Sequence, residues 1–206
     1  MKYINKKYIT LDKFIDKALY KKNSGFYMNK NPIGKNGDFI TSPNISILFS
    51  EMIAIWIISF WESLKYPKKI NLIEMGGGNG EMTFQLLETF NNFPMFRDSC
   101  KTYIFEKSPF LKELQKKKLK KFKIRWLKKL KNIEKCPTIY LANEFFDSLP
   151  VKQFLKKGNS WFERCIKIEN NKYEYSTFPY DIKKLERRIR LKISKNQKFI
   201  EFSPLQ

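Results

Sequence analysis

The chain has 206 residues, of which 42% are hydrophobic and 16% aromatic, so it can bury a core and is predicted to form one domain with at most a small addition. Its formal charge is +21, but most basic residues are lysines and arginine is scarce, so nucleic acid is not the expected partner. The absence of histidine excludes Ser-His-Asp and Cys-His catalysis, and three widely spaced cysteines predict neither a metal site nor a disulfide framework.

Residues 1–66 are predicted to form an N-terminal cap of helix and loop. An amphipathic pattern from Leu11 to Leu19 predicts a helix, and no long apolar targeting segment precedes it. A loop rich in Gly, Asn and Pro follows, and loops of that length often serve a site. Ser42 and Pro43 then predict the cap and first position of an apolar helix that runs to about Ser63.

The segment from Ile45 to Trp61 is apolar and close to the length that spans a membrane. Glu51 lies near its middle, and a carboxylate there would be costly in lipid. We therefore predict a buried helix and no membrane span.

Residues 67–155 show strands that alternate with helices. Such alternation predicts right-handed crossovers and a doubly wound parallel sheet, an α/β fold. Two helices are predicted, one at Glu81–Phe90 and a Lys-rich one after Pro109. The predicted strands are Lys69–Met75, Lys101–Ser108, a weaker one at Lys123–Leu127, and Thr138–Phe146.

Residues 156–206 have a different pattern, in which apolar and polar residues alternate. Two such runs around Asn170 and Asn171 predict a β-hairpin. A basic helix is predicted at Ile182–Ile193, and a final extended run at 198–204.

The stretch "LIEMGGGNGEM" joins the first predicted core strand to a helix. Glycines there permit positive φ and let backbone approach a ligand closely. Glu81 stands where a dinucleotide fingerprint needs its third glycine, and no Gly-Lys-Ser/Thr follows, so neither phosphate-binding motif fits. Glu74, and Glu106 after the next strand, are instead typical of an S-adenosylmethionine site in a Rossmann-like methyltransferase. The alternative is a glycine turn needed only for packing.

Four blocks in order resemble the MidA family of methyltransferases, which includes a mitochondrial complex I assembly factor. They are "GDFITSPNISILFSEMIAIW" (37–56), "IEMGGGNGEM" (73–82), "YIFEKSP" (103–109) and "LANEFFDSLPVKQF" (141–154). The resemblance implies a Rossmann-like class I methyltransferase sheet of about four core parallel strands, with an N-terminal helical cap and a C-terminal β-hairpin insertion. It also implies S-adenosyl-L-methionine as the cofactor, bound by Glu74, Gly76, Gly78, Gly80 and Glu106, with Gly37, Asp38, Thr41 and Ser42 over the pocket.

The resemblance places Asn143, Glu144 and Asp147 beside the methyl donor, and implies methylation of protein arginine. A carboxylate that binds the guanidinium could orient a nitrogen and accept its proton, so Glu144 and Asp147 are the catalytic candidates, with Asn143 beside them. Phe145 and Phe146 are expected in the core. The implied partner is a protein substrate, a respiratory complex I subunit being one candidate, in the bacterial cytosol or the mitochondrial matrix of a eukaryote.

The chain differs from the family in length, because family chains continue beyond "EFSP" into further strands. The strand "TIYLAN" is then expected to be an apolar edge covered by the hairpin, by the final strand or by a partner, and a homodimer is one alternative. Three functions stay open: an active arginine methyltransferase, a non-catalytic S-adenosylmethionine-binding assembly protein, and a basic nucleic-acid methyltransferase. "ANEF" at 142–145 lacks the prolines of the "NPPY" motif and so disfavours the last.

Overall fold

The computed structural model describes residues 7–34, 37–131, 133–170 and 172–204. Its contacts divide the chain into two compact units, Lys22–Asp147 and a second unit that combines Met1–Lys21 with Ser148–Gln206. The division expected from the sequence, at 66 and 155, stays a prediction. In chain order, the elements are β1 (Tyr8–Thr10), α1 (Leu11–Tyr20), α2 (Ser42–Ile45), α3 (Ile47–Ser63), β2 (Ile70–Met75), α4 (Glu81–Phe90), α5 (Pro94–Ser99), β3 (Cys100–Phe105), α6 (Pro109–Lys118), β4 (Ile124–Leu127), β5 (Thr138–Leu141), a 3-10 turn (Phe146–Ser148), β6 (Lys152–Lys157), β7 (Ser160–Glu169), β8 (Lys172–Tyr180), α7 (Ile182–Ile189) and β9 (Phe199–Phe202).

The unit Lys22–Asp147 contains a parallel sheet of four strands in the order β4-β3-β2-β5. β2 is central, and its Ile73 lies opposite Tyr103 of β3 and Tyr140 of β5. Its first five residues are buried, as expected for a parallel strand covered on both faces. The predicted α/β fold is confirmed.

Helices cover one face of this sheet more fully than the other. On the first face, α3, α4 and α5 pack with β2 and β5 around Trp61, Leu72, Leu86 and Ile139. On the second face, Ile73, Tyr103 and Leu127 form a smaller cluster. The larger cluster fixes the position of α4, the helix that follows the glycine turn.

The apolar segment that begins at Ser42 differs from its prediction in three ways. Thr41, not Ser42, precedes the first helical residue, and the extended backbone of Ser46 separates α2 from α3. Only one face of α3 is buried, so the prediction of a buried helix is wrong for its opposite face, where large apolar side chains are exposed. Within the described ranges, no helix is both long enough and apolar enough to cross a membrane.

The second unit is built around an antiparallel sheet. Its order is β1-β7-β6-β9, and β8 pairs with the other edge of β7, which confirms the predicted hairpin, although Asn171 in its turn lies outside the described residues. Phe154, Trp161 and Leu185 form its core. The basic helix ends at Ile189, earlier than predicted, because Arg190 adopts a left-handed φ of 56°.

The strand β5 ends at Leu141, five residues earlier than predicted, and a 3-10 turn follows at Phe146–Ser148. The hairpin strands and β9 pair within the antiparallel sheet. Within the described part of the chain β5 therefore pairs with β2 alone, and neither the hairpin nor the final strand extends the parallel sheet beyond it.

Candidate functional site

The glycine turn lies between the end of β2 and the start of α4. Gly76 and Gly78 both have positive φ, 69° and 53°, in which other L-residues are strained. A Cβ on Gly76 would lie 2.7 Å from the ring of Phe145, and one on Gly78 would lie 2.8 Å from Cδ1 of Ile33. Gly80 caps α4. Backbone conformation therefore favours glycine at both positions, and at Gly76 the ring of Phe145 also leaves little room for a side chain.

Glu74 connects the end of β2 to the first turn of α4. Its buried carboxylate accepts hydrogen bonds from the hydroxyl and the backbone N–H of Thr83. Burial, with a smaller contribution from the nearby Glu106 carboxylate, raises the pKa of Glu74 to about 7, against the lowering effect of the Thr83 bonds. Glu74 thus links the end of β2 to the start of α4, on either side of the glycine turn.

Glu106 follows β3, the neighbour of β2. Its carboxylate accepts hydrogen bonds from the backbone N–H of Ser108 at 2.8 Å and from Nε2 of Gln115 at 3.1 Å. Burial raises the pKa of Glu106 in spite of these bonds. The backbone N–H of Gly76 donates to the carbonyl of Phe105 at 2.9 Å, so the second acid and the glycine turn are adjacent.

Gln115 of α6 connects these parts, and the sequence analysis missed it. Its fully buried amide donates to the carbonyl of Gly78 at 2.9 Å and to Glu106, and accepts from Nε1 of Trp126 at 2.8 Å. Leu111 and Leu119, four residues away on either side, are also buried. That spacing was a usable signal, because it places a polar residue on the inward face of a helix whose other face is rich in lysine.

We expect Gln115→Met to destabilise the protein by about 2 kcal/mol, because its buried partners would lose their hydrogen bonds. Gln85→Met is the matched control, since the Gln85 amide donates to Glu81 and lies only half-buried. Urea unfolding of both variants checks this expectation. Equal losses of unfolding free energy would show that the Gln115 contacts have no special weight.

The loop before α2 lies against the glycine turn. Nδ2 of Asn79 donates to Oδ1 of Asn44 at 2.8 Å, and Nδ2 of Asn44 donates to Oγ1 of Thr41 at the same distance. Ile33, from the same loop, packs on Gly78. Thr41 and the start of α2 at Ser42 are thereby brought to the turn, whereas the Thr41 side chain makes no capping bond to the helix.

Gly37 and Asp38 lie in the same loop. A Cβ on Gly37 would lie 2.4 Å from the carbonyl oxygen of Pro32, so the fold permits only glycine there. The Asp38 carboxylate is about half exposed and pairs with Lys30 at 2.6 Å. Asp38 therefore has a lysine as its partner within the loop.

The candidate catalytic residues follow β5. Asn143 is half-buried, and Glu144 and Asp147 are exposed. Glu144 has a φ of 49°, an uncommon conformation for a residue other than glycine and one that concentrates at functional sites. Phe145 contacts Gly76, while Phe146 is exposed, so its predicted place in the core is wrong.

Tyr27 is a second residue that the sequence analysis missed. Burial, then the charges of Glu106 and Glu144, raise the pKa of its hydroxyl. Its backbone carbonyl accepts a hydrogen bond from Oγ of Ser108. Tyr27 therefore lies near both the proposed ribose carboxylate and a candidate catalytic one, which no local pattern indicated.

The residues present fit a sugar-bearing cofactor without phosphates. Gly76 and Gly78 add no side chains of their own to the turn, the carboxylate of Glu106 stands at the end of the neighbouring strand, and Gln115 bonds both Gly78 and Glu106. No group of three or more His, Cys, Asp or Glu side chains that could hold a metal ion occurs in the described ranges.

Comparisons with known proteins address the same region. Residues 52–205 match the family described as "Putative S-adenosyl-L-methionine-dependent methyltransferase". "Protein arginine methyltransferase NDUFAF7, mitochondrial" from Xenopus laevis is 32% identical over 185 residues, which cover 78% of this chain and 42% of that protein. The protein of that name from Homo sapiens is 31% identical over 185 residues, with the same two coverages. The chain thus spans less than half the length of these relatives.

A solved structure from Burkholderia thailandensis, bound to S-adenosyl-homocysteine, matches with a TM-score of 0.75 and 21% identity, covering 95% of this chain and 52% of that one. At this identity the match shows the fold alone.

Proposed function

Because the chain belongs to this family of S-adenosyl-L-methionine-dependent methyltransferases, we propose that it binds S-adenosylmethionine and transfers the methyl group to arginine in a protein. One observation carries the proposal: a single buried amide, that of Gln115, bonds both the glycine turn and the Glu106 carboxylate. Such a link holds the backbone cradle and the acid in fixed relative positions before a ligand binds.

The proposed cofactor site is assigned residue by residue. Gly76, Gly78 and Gly80 line the cofactor, and the Glu106 carboxylate accepts hydrogen bonds from the ribose hydroxyls. Glu74 is proposed to close the turn through its hydrogen bond from Thr83. The residues proposed to lie over the pocket are Gly37, Asp38, Thr41 and Ser42.

The proposed chemistry needs no histidine. When bound, S-adenosylmethionine supplies a methyl group already activated by its sulfonium, and the sulfur retains the electron pair of the broken S–C bond. Glu144 and Asp147 hold the guanidinium of the substrate and orient one nitrogen. Glu144 accepts the proton that this nitrogen loses as its bond to carbon forms, and Asn143 positions the substrate beside it.

We propose a protein as the substrate because the relatives are named protein arginine methyltransferases. Those relatives are also named as mitochondrial. We extend the proposal to a respiratory complex I subunit as the methylated protein, in the mitochondrial matrix if the source is eukaryotic and in the bacterial cytosol otherwise.

Calorimetric titration with S-adenosylmethionine tests the cofactor site. We expect Gly78→Val to weaken binding at least tenfold, because its Cβ would lie 2.8 Å from Cδ1 of Ile33 and would force that side chain or the turn itself to move where backbone is proposed to meet the ligand. Gly158→Val is the matched control: Gly158 has a similar φ of 59°, but nothing lies within 4 Å of its Cβ position. Both variants carry the strain of a left-handed valine, and only the first would also disturb the glycine turn.

The titration has two outcomes that contradict the proposal. Wild-type affinity in Gly78→Val would remove the glycine turn from the cofactor site, and equal losses in both variants would assign the effect to stability. Binding without methyl transfer to any protein of a cognate extract would instead favour a non-catalytic S-adenosylmethionine-binding assembly factor.

A further inference from the structure

The carboxyl edge of the parallel sheet carries opposite charges on its two sides. On one side, Glu144 and Asp147 follow the last residue of β5, and both are exposed. On the other side, Lys128 and Lys129 follow the last residue of β4, and both are also exposed. Ligands of open parallel sheets bind along the carboxyl edge, so a peptide bound there can meet both groups of charges.

The strand ends that form this edge are level with one another. Phe105 of β3 lies opposite both Met75, the last residue of β2, and Leu127, the last residue of β4. The last residue of β5, Leu141, lies opposite Glu74 of β2. Three strand spacings of about 4.8 Å separate β4 from β5, a distance of about 14 Å. An extended peptide spans that distance in about four residues.

The lysines after β4 are available to a ligand. Among the described residues, neither Lys128 nor Lys129 has a carboxylate within ion-pair distance, and both side chains face solvent. The chain has nine lysines, one arginine and no acidic residue between Glu113 and Glu134. The positive charge of this side of the edge is therefore not balanced by nearby carboxylates along the chain.

This region favours a carboxylate ligand over a nucleic acid. Arginine is the residue suited to bidentate contacts with guanine and phosphate, and Arg125 is the single arginine of the stretch. Single-stranded nucleic acids also stack their bases on aromatic side chains. In the described part of the chain from 100 to 138, every aromatic side chain is buried or half-buried.

The charge of the whole chain also restricts the substrate. At +21, the chain repels a segment rich in lysine and arginine, although the proposed reaction requires an arginine. We propose that the substrate arginine lies in an acidic segment, in which Asp or Glu residues about four positions away pair with Lys128 and Lys129. This inference rests on the proposed arginine methylation and adds a sequence requirement to it.

The test measures the binding of labelled synthetic peptides by fluorescence anisotropy at physiological ionic strength. The acidic peptide has one arginine, with three glutamates that begin four residues away on each side, and its twin has glutamines in their place. We expect the wild-type chain to bind the acidic peptide at least tenfold more tightly than the twin. Lys128→Glu/Lys129→Glu should reduce this preference at least fivefold, because it reverses the charges that meet the glutamates.

The matched control is Lys120→Glu/Lys123→Glu, which changes the net charge of the chain by the same amount. Lys120 and Lys123 are exposed and precede β4, so they lie toward the amino edge of the same sheet. About 16 Å of strand separates Lys123 from Lys128, which is roughly two Debye lengths at physiological salt. We therefore expect the control to reduce the preference less than twofold.

Three results would overturn the proposal. They are equal affinities of the wild-type chain for the two peptides, equal losses of preference in the two double variants, and binding of single-stranded RNA that Lys128→Glu/Lys129→Glu weakens more than it weakens binding of the acidic peptide. The last result would assign these lysines to nucleic acid.

A third peptide, in which alanine replaces the arginine of the acidic peptide, tests the proposed function separately. If it binds as tightly as the acidic peptide, Glu144 and Asp147 do not hold the guanidinium, and the proposed arginine chemistry is contradicted. The comparison of glutamate with glutamine is unaffected by that outcome, and none of these measurements depends on methyl transfer.

Discussion

Glu144→Gln is expected to lower the rate of methyl transfer about 100-fold while leaving the affinity for S-adenosylmethionine unchanged. The amide keeps the size of the side chain but loses the negative charge that would hold the guanidinium and the oxygen that would accept its proton. Because Glu144 is exposed and glutamine can adopt the same backbone conformation, we expect little change in stability.

The assay follows transfer of a labelled methyl group from S-adenosylmethionine to proteins of a cognate extract. Glu174→Gln, an exposed carboxylate on β8, is the control and should retain full activity. Asp147→Asn should lower the rate of methyl transfer less than Glu144→Gln does, because Asp147 is proposed to bind the guanidinium but not to accept its proton. Full turnover in Glu144→Gln would exclude the proposed proton acceptor and leave Asp147 as the candidate.

Sequence reasoning succeeded where the signal is local. The apolar run of β2, the glycines after it and the pattern of α4 lie within 21 residues, and together they predict a strand, a turn and a helix. The hairpin is equally local, because Glu169 at the end of β7 pairs with Lys172 at the start of β8. These elements give the fold class and place the proposed cofactor turn.

The sequence was less informative where long-range contacts decide. Gln115 joins Gly78, Glu106 and Trp126, none of which is its neighbour in the chain, and Tyr27 meets Ser108 across 81 residues. The strand prediction through Phe146 was wrong because apolar content does not reveal the left-handed conformation at Glu144.

The helix prediction at Ser42 had a related weakness. Hydrophobicity alone could not tell a helix buried all round from one with a single buried face and a free apolar face.

We expect the protein to become less stable as pH rises from about 4.5 to about 7, because the buried carboxyl group of Glu74 must ionise in the folded state. Its pKa in the folded protein is about 7, above the ordinary 4.5, so between these values the folded state binds more protons than the unfolded state. The free energy of unfolding therefore falls across this window, by about 3 kcal/mol in total, and levels off above it. Glu74→Gln removes this titration while its amide oxygen can still accept the Thr83 bond.

Urea unfolding of the wild-type chain and Glu74→Gln at several pH values between 4.5 and 8 measures the effect. The wild-type stability minus the variant stability should decrease with pH, and the subtraction removes most of the contribution of Glu106, whose pKa burial also raises. If Glu74→Gln showed a constant difference instead, Glu74 would titrate near its ordinary pKa, and its carboxylate would have to be reached by water through the glycine turn.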